Sequence, residues 1–364
     1  MTKEKKKHGI AFEIFRVLLL IIAIIVLAVL GLLAYMTASD YKPADVEKVT
    51  AEGTASSEFK EGDQLTVMTW NIGYGALGDN ADFFMDGGEM VKSASKERVE
   101  ENLEGITKGI QMYDPDAVLM QEVDIDASRS YKMDEMKFFQ DKFKDYESSF
   151  AYNYKAAFVP YPVPPLGKVF AGLGTFTKAK AADIERVQLP IPFKWPVSTV
   201  NLKRCLMVSR IPVADSDREL VLINLHLEAY DSGAGKIAQT KMLSEVMQKE
   251  AEKGNYVIAG GDFNQLFSSA DQDAYPLQEG MWHPGKLDVE AFEGDWQFLM
   301  DEKKPSCRSL DKPYAKADRE MFQYYLIDGF IVSDNIDVDE FKTVDFDFEN
   351  SDHNPVVLKL TLGD

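Results

Sequence analysis

The stretch ELVLINLHL, residues 219–227, decides how this chain folds. Its apolar residues fall on both faces of an extended segment, the pattern of a strand covered on two sides. The first histidine in it comes only at position 226. Close behind stands KIAQTKMLSEVMQKEAEKG (236–254), where Ile237, Leu243, Val246 and Met247 are read as one helical face and Gly254 as the stop. Then comes YVIAGG (256–261), another short β-like run. Doubly apolar strands with helices interposed predict sheets covered by helices, which is a two-sheet α/β sandwich.

Working outward, the same alternation extends from Leu65 to the end of the chain. LTVMTW (65–70), AVLM (117–120), GLGTFT (172–177), RCLMVSR (204–210), YYLIDGFIVS (324–333) and VVLKLTL (356–362) are further strand candidates. SKERVEENLEGITKGIQMY (95–113) reads as a helix, with Val99, Leu103, Ile106 and Ile110 on one face and Ser95 as N-cap. The proline-rich AAFVPYPVPPLGKVFAGLG (156–174) is predicted to be a long loop or an edge hairpin, because proline cannot donate to a central ladder. LPIPFKWP (189–196) has the same character.

The beginning of the chain is of another kind. VLLLIIAIIVLAVLGLLAYM (17–36) is uncharged throughout, and at about 1.5 Å per residue it spans a hydrocarbon core of roughly 30 Å. Lys3, Lys5, Lys6, Lys7 and Arg16 precede it, which predicts a cytoplasmic N-terminus. The expected organisation is a basic cytoplasmic tail (1–16), one transmembrane helix (17–36), a polar tether (37–64) and a catalytic domain (65–364) outside the cytoplasm. The localisation that follows is a single-pass protein of the cell membrane. A cleaved signal peptide fits less well, since its apolar region is usually about 7–15 residues and AYMTAS offers no small-x-small site.

At 364 residues, 45% hydrophobic and 27% charged, the composition excludes a disordered chain. After residue 36 there are 35 basic and 58 acidic residues, a net charge of −23. Such a body does not recruit polyanions through its overall field, whereas it suits divalent cations. Cys205 and Cys307 are too few for a disulfide framework and read as structural thiols. Arg129, Lys132, Lys203 and Arg204 read as surface charge, and DNIDVDEFKTVDFDFEN (334–350) as a solvated acidic face.

The polar residues that end the strand candidates carry the chemistry. VMTWN ends in Asn71, VLMQE in Glu122 and LINLH in His226, while VIAGGDFN supplies Asp262 and Asn264 and YYLID supplies Asp328. Asp352 and His353 stand just before the last strand. Strands sharing one core would gather these groups along one rim, where carboxylates repel each other unless a cation joins them. Mg²⁺ held by Asn71 and Glu122 suits attack of water on phosphorus. His353 is then the general base, Asp328 its orienting partner, and His226 and Asn264 donors to the phosphoryl oxygens.

TWNIGYG, QEVD, NLHL, GGDFNQ, YLIDGFIVS and SDHNPVVLKL, in this order, resemble the endonuclease/exonuclease/phosphatase superfamily over roughly residues 65–362. The resemblance implies a four-layer α/β sandwich with two mixed sheets flanked by helices, here preceded by the transmembrane helix. It implies metal contact for Asn71 and Glu122, phosphate contact for His226, a nucleophile-orienting or metal role for Asp262, and transition-state contact for Asn264. It further implies orientation of His353 by Asp328, metal or network support from Asp352, and general-base action by His353. The expected cofactor is Mg²⁺, with Mn²⁺ or Ca²⁺ as alternatives. The expected function is metal-dependent hydrolysis of a phosphodiester or phosphomonoester. The substrate is a lipid head group, an inositol phosphate or a nucleic acid, and no obligate protein partner is implied. Two other readings stand beside it: an extracytoplasmic nuclease, and a non-catalytic phosphate- or lipid-binding module.

Overall fold

The computed structural model describes residues 2–363, with side chains from Gly9 onward. A long helix, α1 (Thr2–Ala38), is followed by the short strands β1 (Val46–Lys48), β2 (Ala51–Gly53) and β3 (Phe59–Lys60). Next come β4 (Gln64–Asn71), α2 (Lys96–Tyr113), β5 (Ala117–Asp124), α3 (Glu135–Lys142), β6 (Glu147–Val159), β7 (Gly167–Thr177) and β8 (Asp183–Gln188). The chain continues through β9 (Cys205–Ala214), β10 (Glu219–His226), α4 (Ala234–Ala251), β11 (Tyr256–Asp262), β12 (Gln265–Phe267), β13 (Gly285–Leu287) and β14 (Trp296–Leu299). It ends with β15 (Cys307–Arg308), β16 (Tyr324–Tyr325), β17 (Asp328–Ser333), β18 (Ile336–Thr343) and β19 (Val356–Leu362).

One sheet has the order β18-β19-β4-β5-β7-β6-β2, the other β1-β8-β9-β10-β11-β17-β14, with β3 pairing the end of β9. Both are mixed: β4–β5 and β10–β11 run parallel, as helical crossovers require, and their neighbours run antiparallel. Strand side chains alternate between faces. Val67, Leu119, Leu222, Ile258, Phe330 and Leu358 therefore meet between the sheets. The opposite face of the first sheet (Met68, Trp70, Val118) packs on α2 and α3 through Leu103, Ile106 and Phe139. The second sheet packs Val221, Ile223 and Val257 on Leu243 and Met247 of α4. The layers are helix, sheet, sheet, helix, the fold class expected.

Three expectations need correction. The segment 37–64 is not a free tether, because β1 pairs with β8, β2 with β6 and β3 with β9. Its polar side chains hid an edge-pairing role that depends on backbone groups rather than on side-chain burial. In the hairpin of β6 and β7, the second strand is central, bonded to β5 as well as β6. The prolines all fall in the turn between the two strands, where no ladder donor is lost. Ile237 is 72% exposed, whereas Lys236, Gln239, Thr240, Leu243, Met247 and Glu250 form the buried stripe of α4. Position 237 is six residues before Leu243, about 120° off that stripe at 3.6 residues per turn.

Within α1, residues Gly9–Ala38 are long and apolar enough to cross a membrane, and the most apolar window is not buried against the rest of the chain.

Candidate active site

Register explains why chemistry gathers at one rim. On β4 the side chains facing the other sheet are Leu65, Val67, Thr69 and Asn71; on β10 they are Leu220, Leu222, Asn224 and His226. Each face runs from apolar to polar. His226 pairs with Asp262 across β10 and β11, and Asp262 pairs with Asp328 across β11 and β17, so three strands present one row. In the facing sheet Asn71 pairs with Gln121.

Glu122 follows Gln121 and would face α2 in a regular strand. A bulge between Met120 and Val123, with Glu122 at φ 57°, turns it into the site instead. Beneath the row, Gln121 Nε2 donates to Asn224 Oδ1 at 2.8 Å, and Asn224 Nδ2 donates to the carbonyls of Met120 and Gly174 at 3.1 and 3.0 Å. This amide layer spans both sheets and is fully buried. It fixes how the two halves of the rim face each other.

Asp352 and His353 enter from the loop before β19. Ser351 Oγ donates to the Asn71 carbonyl (2.8 Å) and accepts from the His353 amide (3.2 Å), and the Trp70 indole donates to the His353 carbonyl (2.9 Å). Those bonds fasten the loop to β4. The result is that all eight residues singled out in the sequence converge. Asn71 Nδ2 donates to Asp262 Oδ2 (3.0 Å) and Glu122 Oε1 (3.3 Å) and lies 3.4 Å from His353 Nε2. His353 Nδ1 meets Asp328 Oδ2 at 2.8 Å, leaving Nε2 at 3.9 Å from both Asp262 and Asp352. His226 Nε2 is 3.4 Å from Asp262 Oδ2, and the Asp262 Oδ1 accepts the Asn264 amide at 2.8 Å. Asn264, at φ 51°, gives its own side-chain N–H to the Leu227 carbonyl (2.9 Å).

Burial governs the charge states. It pushes the Asp262 carboxyl up to about 7, with Asp328 adding to the rise and His353 opposing it. It pushes Asp352 up to about 6, with Glu122 adding while His353 and Arg308 oppose. His226 is held well below the usual histidine range by burial, with the charge of Arg204 in support. Burial also works against the charged form of His353, but Asp328, Cys307 and Asp352 outweigh it and hold the imidazole well above its ordinary value.

Glu122, His226, Asp262, Asn264, Asp352 and His353 line a cavity of about 350 Å³, with Asn71 and Asp328 set behind them. The donors suit a hard divalent ion, being carboxylate oxygens whose direct ion-pair partners are histidines and not lysines or arginines. Asp262, Asp328 and His353 could share one ion, and Cys307, Asp352 and His353 form a second such group. Asn71, however, turns its amide nitrogen to the carboxylates while its oxygen accepts the Gly73 amide (3.1 Å). In this orientation it spaces the acids, and contact with a cation requires the amide to turn.

Sequence reasoning missed a ring of arginines. Arg129, Arg204 and Arg308 all line the cavity and are nearly or fully buried, and Lys203 is buried as well, so the surface-charge reading holds only for Lys132. Arg129 bonds Asp124 through both Nε (3.1 Å) and Nη2 (2.9 Å) and stacks 3.6 Å from the Tyr74 ring. Arg204 Nη1 donates to the His226 carbonyl at 3.1 Å. Contacts with Asp124, with the Tyr74 ring and with the carbonyls of His226 and Gly78 mark these arginines, and no strand or helix periodicity carries that signal. Cys205 and Cys307 are both free and buried.

The profile of the Endonuclease/Exonuclease/phosphatase family matches residues 68–296. Solved structures share the fold. An endonuclease/exonuclease/phosphatase from Beutenbergia cavernae is 19% identical at a TM-score of 0.58, covering 82% of this chain and 72% of that one. One from Bacteroides vulgatus is 14% identical at 0.52, covering 82% and 99%. A family protein from Bacteroides thetaiotaomicron is 15% identical at 0.52, covering 84% and 99%. No curated protein matches the chain.

Proposed function

Because the chain belongs to the endonuclease/exonuclease/phosphatase family, and so to the hydrolases of phosphate esters, we propose that it is a membrane-anchored phosphoesterase whose water nucleophile is activated by His353. The observation that carries this reading is the 2.8 Å contact of His353 Nδ1 with Asp328, which directs Nε2 toward Asp262, Asp352 and the Asn71 amide. Asp328 fixes the tautomer and steadies the imidazolium that forms. His353 Nε2 takes the proton as the water oxygen bonds to phosphorus, the ester P–O bond opposite breaks, the departing oxygen takes a proton from solvent water, and the imidazolium returns its own proton to solvent. His226 and Asn264 would donate to the non-bridging oxygens, and Asp262 holds both His226 and the turn that carries Asn264.

Glu122 and Asp352 would hold the divalent cation, with Asn71 joining them once its amide turns. When bound, that ion supplies polarisation of the phosphoryl oxygen and a positive charge that offsets the carboxylates, bringing His353 back toward the neutral form a base needs.

Calorimetry of Mg²⁺ binding to the full chain in detergent, in two buffers of different ionisation enthalpy, tests this. A cation takes the ionised carboxylate, and at pH 6 Asp262 (about 7) and Asp352 (about 6) are partly protonated. Binding should therefore release protons at pH 6, and affinity should climb as pH rises from about 5 to 7. Absence of Mg²⁺ binding, or affinity that falls with pH, sinks the proposal.

The anchored reading rests on α1 and on Lys3, Lys5, Lys6, Lys7 and Arg16 before its apolar run. With the N-terminus in the cytoplasm, protease added to intact cells should remove the body. Complete protection would reverse the orientation.

A further inference from the structure

The far end of α1 does not stop in open solvent. Met36 is buried, Thr37 Oγ1 accepts from the Trp195 indole at 3.0 Å, and Asp40 pairs with the buried Lys203 at 3.5 Å. The helix end rests against the turn Val197–Val200, and Val200 and Leu202, in and just after that turn, are cavity wall. The turn therefore links the end of the apolar helix to the cavity wall.

The cavity wall beyond the catalytic groups is largely carbon. Phe84, Tyr161, Val200, Leu202, Tyr230 and Trp282 supply much of it, and Tyr161 packs edge-on against Phe84 at 5.7 Å. At the same end of the molecule, apolar side chains stand in water where burial would be favourable. Val163 is 94% exposed, Tyr161 67%, Trp195 61% and Val197 50%. They belong to two loops, the proline turn between β6 and β7 and the segment 195–197 that leads into the Val197–Val200 turn, and Tyr154 of β6 holds that second turn by donating to the Val200 carbonyl (3.0 Å). Exposed Trp, Tyr and Val beside a membrane helix form the surface that settles at a lipid–water interface. The acidic body, with a net charge of −23 after residue 36, does not attract a polynucleotide through its overall field.

Resting on the phosphoesterase reading, we infer that the substrate is an amphiphilic phosphate ester drawn from the leaflet in which α1 ends. The two loops dip into that leaflet, the apolar wall receives the first carbons of the chain, and the phosphate reaches His353 without leaving the interface.

The test reconstitutes the full chain in vesicles of phosphatidylcholine, phosphatidylethanolamine and phosphatidylglycerol with Mg²⁺, and follows release of phosphorylated head group. Bis-p-nitrophenyl phosphate, a water-soluble ester, is measured in parallel. Val163→Asp combined with Trp195→Ala should cut release from vesicles at least about tenfold while leaving hydrolysis of the soluble ester unchanged, because neither residue touches the cavity. Equal loss on both substrates overturns the inference, as does hydrolysis of the soluble ester with no release from wild-type vesicles. Faster cleavage of plasmid DNA than of vesicle lipid overturns it in favour of a nuclease. Inactivity on the soluble ester would instead remove the phosphoesterase reading on which the inference rests. As a second readout, Val163→Cys carrying a polarity-sensitive dye should shift its emission to the blue on reconstitution; an unshifted spectrum also overturns it.

Discussion

His353→Ala is expected to lower hydrolysis of bis-p-nitrophenyl phosphate by about 10²–10⁴-fold, the range for losing a general base, or about 3–5 kcal/mol of barrier. The imidazole is buried, bonded through Nδ1 to Asp328, and its other nitrogen points at the acids of the site. Removing it leaves the water without an acceptor and strands Asp328, whose Oδ1 already has no hydrogen-bond partner. The fold should survive, since the loop is held by Ser351, Trp70 and the His353 backbone rather than by the ring. Thermal unfolding of the variant reports that directly. A folded His353→Ala protein hydrolysing at the wild-type rate would remove the base from the mechanism, and Asp328→Asn should imitate the loss with a shifted pH profile.

Stripping divalent ions is expected to have an equally large effect. Hydrolysis by the full chain should fall to background in excess chelator and return on adding Mg²⁺. Burial raises Asp262 and Asp352, so both resist ionising until a counter-charge is bound, and Glu122 is brought beside them by a bulge with a left-handed backbone. Glu122→Gln keeps the shape and deletes one negative charge. It should raise the Mg²⁺ concentration needed for half-maximal rate by about 10–100-fold, comparable to the cost of disturbing a metal site's supporting shell. Undiminished activity in chelator, or an unchanged Mg²⁺ requirement in the variant, would discard the metal role.

What could be read from the sequence was what period-two geometry dictates. Asn71, His226 and Asp262 end strands whose alternate residues are apolar, so their placement on the inter-sheet face follows from counting, whereas Asp328 opens β17 after a break from β16 that the continuous run 324–333 did not reveal. Ser95 capping α2 and the buried stripe of Val99, Leu103, Ile106 and Ile110 followed from helical spacing in the same way. Glu122 was identified by its position at a strand end, but the bulge that aims it was not, because an extra residue is visible only against the partner strand. Arg129, Arg204 and Arg308 escaped for a related reason: what makes an arginine buried is its partner, and Asp124, Glu228 and the carbonyl of Gly78 are contacts the local sequence does not announce. The strand β18 is acidic and half exposed, and only its pairing with β19 identifies it.

The three short strands after α1 alter the mechanics of the whole molecule. A flexible leash would let the hydrolase sweep a hemisphere of solvent and tumble as it searched. β1 is bonded into one sheet and β2 into the other, so the segment acts as a bracket bolted at two points. On the anchored reading proposed above, the reaction centre would be held at a set height and heading, and the protein would explore only by drifting sideways together with its helix.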